Sequence, residues 1–192
     1  MPEKIKVLLV ENDADFVYLI KKMIEKEDDL VFLDYAEKKA DGIMLALKYM
    51  PDIVLMDLNL TKNELDGIET AKEIRLLTSA KILLLTSFES PDIIIQASKQ
   101  AFASGYIFKS QCQTLLDTIR RTAASHTPQE LFIKELILQD LSHAERNVIQ
   151  NILYGDSEVH SSFKTIANQK TQIFKKLGIK NTQQLIHLFK NW

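Results

Sequence analysis

Two rhythms of apolar residues alternate along the first two thirds of the chain. Ile5–Val10 (IKVLLV), Ile53–Met56 (IVLM) and Lys81–Ser87 (KILLLTS) hold short continuous apolar runs. Runs of that length without polar alternation predict strands buried on both faces. Val31–Tyr35 is strand-like, and Tyr106–Phe108 is a very short fifth strand. Between these runs, apolar residues recur every three or four positions. Phe16, Leu19, Ile20, Met23 and Ile24 place one apolar stripe on a helix within Asp15–Glu27. Helices are predicted likewise over Ala40–Met50, where Pro51 ends the pattern, over Gly67–Leu77, from Pro91 to about Ala103, and over Gln113–Ala124. Strand and helix alternate five times, which predicts an α/β domain over 1–125 with a parallel five-stranded sheet covered on both faces.

The rhythm changes after that. Residues 126–140 mix a polar turn containing Pro128 with an apolar helical patch, and they read as a linker. From Leu141 only helical spacing remains. Ser142 and Glu145 form a capping box ahead of Val148, Ile149 and Leu153, and Gly155 closes that helix. Lys164–Leu177 is a second helix with Ile166, Ile173 and Leu177 on one face, closed by Gly178, and Thr182–Phe189 is a third. A small all-α domain over 141–192 follows the α/β domain.

Charge sharpens this division. The net charge of the 192 residues is only −2, but the last 34 residues hold six lysines and no acid. All 26 acidic and 18 of the 24 basic side chains therefore fall in the first 158 residues. An anion-binding module attached to an acidic one fits that asymmetry. Cys112 is the only cysteine, so neither an internal disulfide nor a zinc site built on cysteine pairs can form. With no signal peptide and no apolar stretch of membrane-spanning length, the expected compartment is the cytoplasm. The five glycines, at 42, 67, 105, 155 and 178, make no phosphate-binding loop, dinucleotide fingerprint or nucleophile elbow. His126, His143, His160 and His187 all lie outside the α/β part. The chain is therefore read as a non-enzyme.

In open parallel sheets, ligands bind beyond the C-terminal ends of the strands. The first strand ends on Glu11, Asn12 and Asp13, the third on Asp57 and Asn59, the fourth on Thr86 and Ser87, and the fifth on Lys109. Clustered carboxylates need a cation, and oxygen donors suit Mg²⁺. A carboxylate also acts as a nucleophile towards phosphorus, and a lysine with a hydroxyl holds phosphoryl oxygens.

The four segments VLLVEND, PDIVLMDLN, ILLLTSF and ASGYIFK, in this order, resemble the receiver domain of two-component response regulators over roughly residues 3–125. The resemblance implies a (βα)5 flavodoxin-like fold with Asp57 as phosphoryl acceptor, and a chain that is a phosphoprotein. It implies Thr86 as switch hydroxyl, Tyr106 as switch aromatic, Lys109 as phosphate-binding lysine, and Glu11, Asn12, Asp57 and Asn59 around Mg²⁺. Three features depart from the family pattern. Asn12 replaces the second of two adjacent acids, so Mg²⁺ is expected to bind more weakly. The loop after Asp57 is two residues longer and lacks a proline. Ser87–Asp92 carries one extra residue, and Phe102 stands where glycine is common.

The segments LSHAERNVI, KTIANQKTQIFKKLGIKN and QLIHLF resemble the LuxR-type (NarL/FixJ) helix-turn-helix output domain. By that resemblance Lys164–Leu177 is the recognition helix. Ala167, Asn168 and Thr171 face bases, and Lys164, Thr165, Gln169, Lys170 and Lys175 serve phosphate or rim contacts. The terminal helix is where the family pairs into homodimers. Only DSEVHSSF lies between Gly155 and Lys164, so the supporting helix is cut to a turn or missing, and Leu131, Phe132, Leu136 and Ile137 of the linker offer a substitute brace. The implied partners are a sensor histidine kinase and double-stranded DNA. Asn12 and the shortened segment also admit an alternative, a phosphorylation-independent dimerisation module with a reduced output domain.

Overall fold

A computed structural model describes residues 3–60, 66–87, 90–125, 127–155 and 163–190. Strands β1 (Ile5–Val10), β2 (Leu30–Ala36), β3 (Ile53–Asp57), β4 (Lys81–Thr86) and β5 (Gly105–Phe108) form one parallel sheet in the order β2-β1-β3-β4-β5. Side chains alternate through it. Leu8, Val10, Val54 and Met56 face α2 (Lys39–Tyr49), α3 (Asp66–Leu77) and α4 (Pro91–Gln100), whose Ala46, Ile74 and Ala97 complete that core. Val7, Leu9, Ile53 and Leu55 face α1 (Ala14–Ile24) and α5 (Leu115–Ala123), which supply Ile20 and Ile119. The (βα)5 flavodoxin-like architecture is thus present, with both sheet faces covered.

Two helices differ in extent from the spacing. The fifth starts at Leu115, because Lys109–Thr114 forms a tighter 3-10 turn that carries Lys109 away from β5. The fourth ends at Gln100, and Phe102 then takes a left-handed φ of 52° with its side chain buried. The extra residue expected after Ser87 lies in a loop whose residues 88 and 89 are outside the described ones.

Beyond α5 come α6 (Pro128–Leu138), α7 (His143–Tyr154), α8 (Phe163–Leu177) and α9 (Thr182–Phe189). The Thr127 hydroxyl caps α6, with Pro128 in its first turn, so the linker is helical for most of its length. Helix α6 joins the output core through Ile133, Ile137 and Leu138, packed with Val148, Ile149, Ile173 and Leu185. The proposed brace is therefore corrected in its face. Ile137 is inside, whereas Leu131 and Phe132 are 64% and 60% exposed. One row of α6, at 133 and 137, serves the output core, while Leu136 sits half-buried against the receiver. The short supporting segment lies at 156–162, outside the described residues.

Receiver and output region form one packed unit. Phe102 and Leu76 of the receiver enter the output core, and α9 lies on α3 with Leu185, Leu188 and Phe189 buried. Arg75, fully buried on α3, donates to the carbonyls of Ala80 at 3.1 Å and of Leu188, in α9, at 2.7 Å. The terminal helix expected to pair between chains is thus covered by its own receiver.

Candidate phosphoryl-acceptor site

Strand register places the polar ends together. Val10 pairs with Met56, so Glu11 and Asp57 leave the sheet side by side. Asp57 pairs with Leu85, and Thr86 with Phe108, so Thr86 and Lys109 follow one step further along β4 and β5. Gly67 lets α3 start directly against β3. A Cβ there would stand 2.2 Å from the Asp57 carbonyl oxygen and 2.8 Å from Leu58 Cα, which excludes any side chain.

Lys109 organises the pocket. Its Nζ lies 2.6 Å from Glu11 Oε2 and 3.2 Å from Asp57 Oδ2, and it sits 4.9 Å from the centre of the Phe16 ring. Glu11 is fully buried and Asp57 is 2% exposed. The second Glu11 oxygen accepts from the backbone N–H of Asn12 at 3.1 Å and of Asp13 at 3.0 Å. Burial holds the Glu11 carboxyl above its ordinary value, and the Asp57 charge adds to this, while the Lys109 hydrogen bond pulls the other way. Burial alone would lower Lys109, but the hydrogen bond to Glu11 and the two carboxylate charges outweigh it and hold the ammonium above its ordinary value.

Asn12 spends its amide nitrogen on the neighbouring loop. Its Nδ2 donates to the Leu60 carbonyl at 2.8 Å and lies 3.5 Å from that of Asn59, tying the loop after β1 to the loop after β3. Asp13 caps α1 by accepting from the N–H groups of Asp15 at 2.9 Å and Phe16 at 3.1 Å, so it is committed to the helix. Glu11 and Asp57 meet on Lys109, and the oxygens expected to join them are those of Asn12 and Asn59. These are hard oxygens that suit Mg²⁺, with two acids where a third would add charge. Among the described residues no three His, Cys, Asp or Glu side chains are grouped to hold a metal.

Thr86 is buried at the end of β4. Tyr106 is half-buried on β5, its ring edge-on to Phe108 at 5.8 Å. The sequence carried no signal for what covers this strand. The Tyr106 N–H donates to Gln129 Oε1 of α6 at 3.1 Å, so the linker helix satisfies a group that an edge strand leaves open. Tyr106 also lines a groove of about 290 Å³ with Ile94, Ile95, Phe132, Ile133 and Leu136, between α4 and α6.

On α8, Lys164, Thr165, Ala167, Asn168, Thr171 and Lys175 are exposed, whereas Gln169 and Lys170 are half-buried at the flank. Ile173 and Leu177 hold the opposite face in the core. No helix among the described residues is long and apolar enough to cross a membrane.

Comparison with known proteins places this geometry. The chain is 29% identical over 182 residues to the nitrate/nitrite response regulator protein homolog of Haemophilus influenzae, covering 89% of this chain and 86% of that protein. It is 27% identical over 209 residues to the transcriptional regulatory protein LiaR of Bacillus subtilis, covering 97% and 98%. A LuxR-family two-component response regulator from Aurantimonas sp. SI85-9A1 superposes with a TM-score of 0.60 at 26% identity, over 72% of this chain and 98% of that one. The family model for the response regulator receiver domain matches residues 7–120. With acid, hydroxyl and lysine gathered at the strand ends of that matched region, the chain belongs to the response regulator receiver family.

Proposed function

We propose that this chain is a DNA-binding transcriptional regulator whose receiver accepts a phosphoryl group on Asp57 from a sensor histidine kinase. The observation that carries the reading is the Lys109 ammonium held 3.2 Å from Asp57 at the end of a buried strand. An oxygen of the Asp57 carboxylate attacks phosphorus, the bond from phosphorus to the kinase imidazole breaks, and an acyl phosphate forms. Lys109 and the Thr86 hydroxyl hold the new phosphoryl oxygens. Glu11, Asn12, Asp57 and the Asn59 carbonyl would hold Mg²⁺, which would neutralise phosphoryl charge, and Asn12 would weaken that binding by supplying no carboxylate. Drawing Thr86 towards the phosphoryl group frees space for Tyr106 to turn inward, at the strand that α6 covers.

The name of the Bacillus relative, a transcriptional regulatory protein, supports a DNA-binding output. So does the exposed row of Lys164, Asn168, Thr171 and Lys175 on α8, which suits a major-groove helix flanked by phosphate contacts. Asn168 offers the donor and acceptor that read adenine. Dimerisation through the buried face of α9 would require that helix to leave α3, and the proposal assigns that release to the phosphorylated state.

Intact mass after incubation with acetyl phosphate and Mg²⁺, beside Asp57→Ala, tests the acceptor. A single phosphoryl adduct absent from the variant is the expected result. No adduct at any Mg²⁺ concentration would overturn the phospho-switch and leave a receiver governed by something else.

A further inference from the structure

The receiver and the output region do not meet flush. A cavity of about 620 Å³ lies between them, walled by α3, α4, the end of α6 and the last turn of α8. Its apolar surface comes from Ile68, Phe102, Ile137 and Leu177. Lys72, Lys99, Lys175 and Lys176 line it against only two carboxylates, Glu69 and Asp140. Internal ion pairs account for part of this charge. Lys99 holds Asp140 at 2.7 Å, Lys176 holds Glu145 at 2.7 Å, and Glu69 is taken from outside the cavity by Lys39 at 3.2 Å. Lys72 and Lys175 remain without a carboxylate partner among the described residues.

Lys72 is the informative one. It is half-buried, its Nζ lies 5.4 Å from the centre of the Phe102 ring, and a Cβ on Gly178 would stand 3.1 Å from it. The ammonium therefore points into the crevice between α3, Phe102 and Gly178. Beneath it, Phe102 holds a left-handed backbone that bulky residues rarely adopt, and its side chain is 4% exposed. Strained positions of this kind gather at ligand clamps and switches.

We infer that this cavity binds a small amphipathic organic anion. Its carboxylate, sulfonate or phosphate would lie between Lys72 and Lys175, and its aromatic or aliphatic body on Phe102, Ile68, Ile137 and Leu177. A neutral apolar molecule leaves the two ammonium groups uncompensated, and a metal cation is repelled by them. The volume falls within the roughly 300–1,000 Å³ of small-molecule sites. Both domains contribute walls, so an occupant favours the packed arrangement of receiver and output over an open one. The inference rests neither on phosphorylation of Asp57 nor on DNA binding by α8.

Fluorescence titration of the full-length protein with anilinonaphthalene sulfonate tests it. The wild type is expected to show a saturable class of one probe per chain. Lys72→Met, which keeps the apolar stem and removes the charge, weakens that class at least tenfold. Phe132→Gln, in the separate groove beside α6, leaves it unchanged. Should Lys72→Met not fold, as read by its unfolding transition, Lys175→Met at an exposed position carries the same test with a smaller loss. No saturable class, a lysine variant indistinguishable from wild type, or loss of the class in Phe132→Gln would each overturn the inference.

Discussion

Lys81 and Glu130 form a buried ion pair at 2.8 Å, each side chain 6% exposed, where α6 leaves the end of the receiver. Lys81, at the start of β4, also donates to the Thr122 carbonyl at 2.8 Å and to Ser125 Oγ at 2.6 Å. One ammonium thus fastens the end of α5, the following turn and the linker helix. Breaking a buried pair from one side strands a charge, so Lys81→Met should cost about 3–5 kcal/mol. Replacing both partners, as Lys81→Met with Glu130→Leu, should recover most of that loss. Urea unfolding of the two single variants and the double variant gives the cycle, and a double-variant loss equal to the sum of the two single losses would contradict a coupled pair.

Arg75 plays the matching part for α9. Burial pushes its guanidinium down to about 10, against the pull of the Glu130 carboxylate. It remains charged at neutral pH and binds the Leu188 carbonyl in the last turn of α9, where a cation also meets the helix dipole. Arg75→Met leaves carbonyls of both domains without that donor and should cost about 2–4 kcal/mol. Hydrogen exchange should accelerate across 182–189 in this variant, with β1, β3 and β4 unchanged. Protection of α9 equal to wild type would mean that apolar packing alone holds it.

What could be read in advance follows from range. The β3 run Ile53–Met56 is apolar on both faces because both faces are covered, and that is a local pattern. The gathering of Glu11, Asp57 and Lys109 follows from parallel strands ending at one edge, so three distant residues were legible once the strands were. Arg75, Lys81 and Glu130 were not, because on a chain they look like ordinary solvated charges, and only packing buries them, Arg75 beneath α9 and Lys81 with Glu130 where the end of α5 meets α6. Asn12 was legible as a missing charge, but the turn of its amide towards Leu60 depends on the loop it meets. The face of α6 was misplaced because one short helix serves two neighbours, and its apolar residues do not form a single stripe.

Asn12 sets the expected metal response of the acceptor pocket. Asn12→Asp adds a third acid beside Glu11 and Asp57 and removes the donor that holds the Leu60 carbonyl at 2.8 Å. Mg²⁺ affinity should rise about tenfold, near 1.4 kcal/mol. Without Mg²⁺ the variant should be less stable than wild type by about 1 kcal/mol, since a hydrogen bond is lost and like charge is added. Calorimetric titration with Mg²⁺ and unfolding with and without it measure both. An unchanged affinity would show that the loop, rather than the missing charge, limits metal binding.

Acid should loosen the output region through Glu145. Its carboxylate accepts from the Ser142 N–H and from Lys176 Nζ, both at 2.7 Å, joining the start of α7 to the end of α8. Partial burial alone would raise it, but the hydrogen bonds from Lys176 and Ser142 prevail and hold it below its usual 4.5. A depressed carboxylate stabilises the fold fully above its unfolded value and loses that contribution as pH falls through the folded one. Stability should therefore be level above about pH 5 and decline below about 4.5. Glu145→Gln should lower the plateau by about 1 kcal/mol and flatten that part of the acid limb. A variant whose pH profile keeps the wild-type slope would assign the acid sensitivity elsewhere.

On the proposed reading, the exposed row of α8 would make two kinds of contact with DNA. Lys164 and Lys175 stand at opposite ends of the helix, with Asn168 and Thr171 between them on the same face. A lysine that neutralises a phosphate releases a counterion, so Lys164→Ala should weaken binding to every sequence alike and reduce the salt slope by about 1. Asn168 carries no charge, so Asn168→Ala should leave that slope unchanged. At its base pair it should cost about 1–3 kcal/mol against the preferred sequence and little against others. Titrations of phosphorylated protein at several salt concentrations, on a selected site and on unrelated duplexes, distinguish the two. Equal losses on all duplexes for Asn168→Ala would place it at the backbone and move base reading to Ala167 and Thr171.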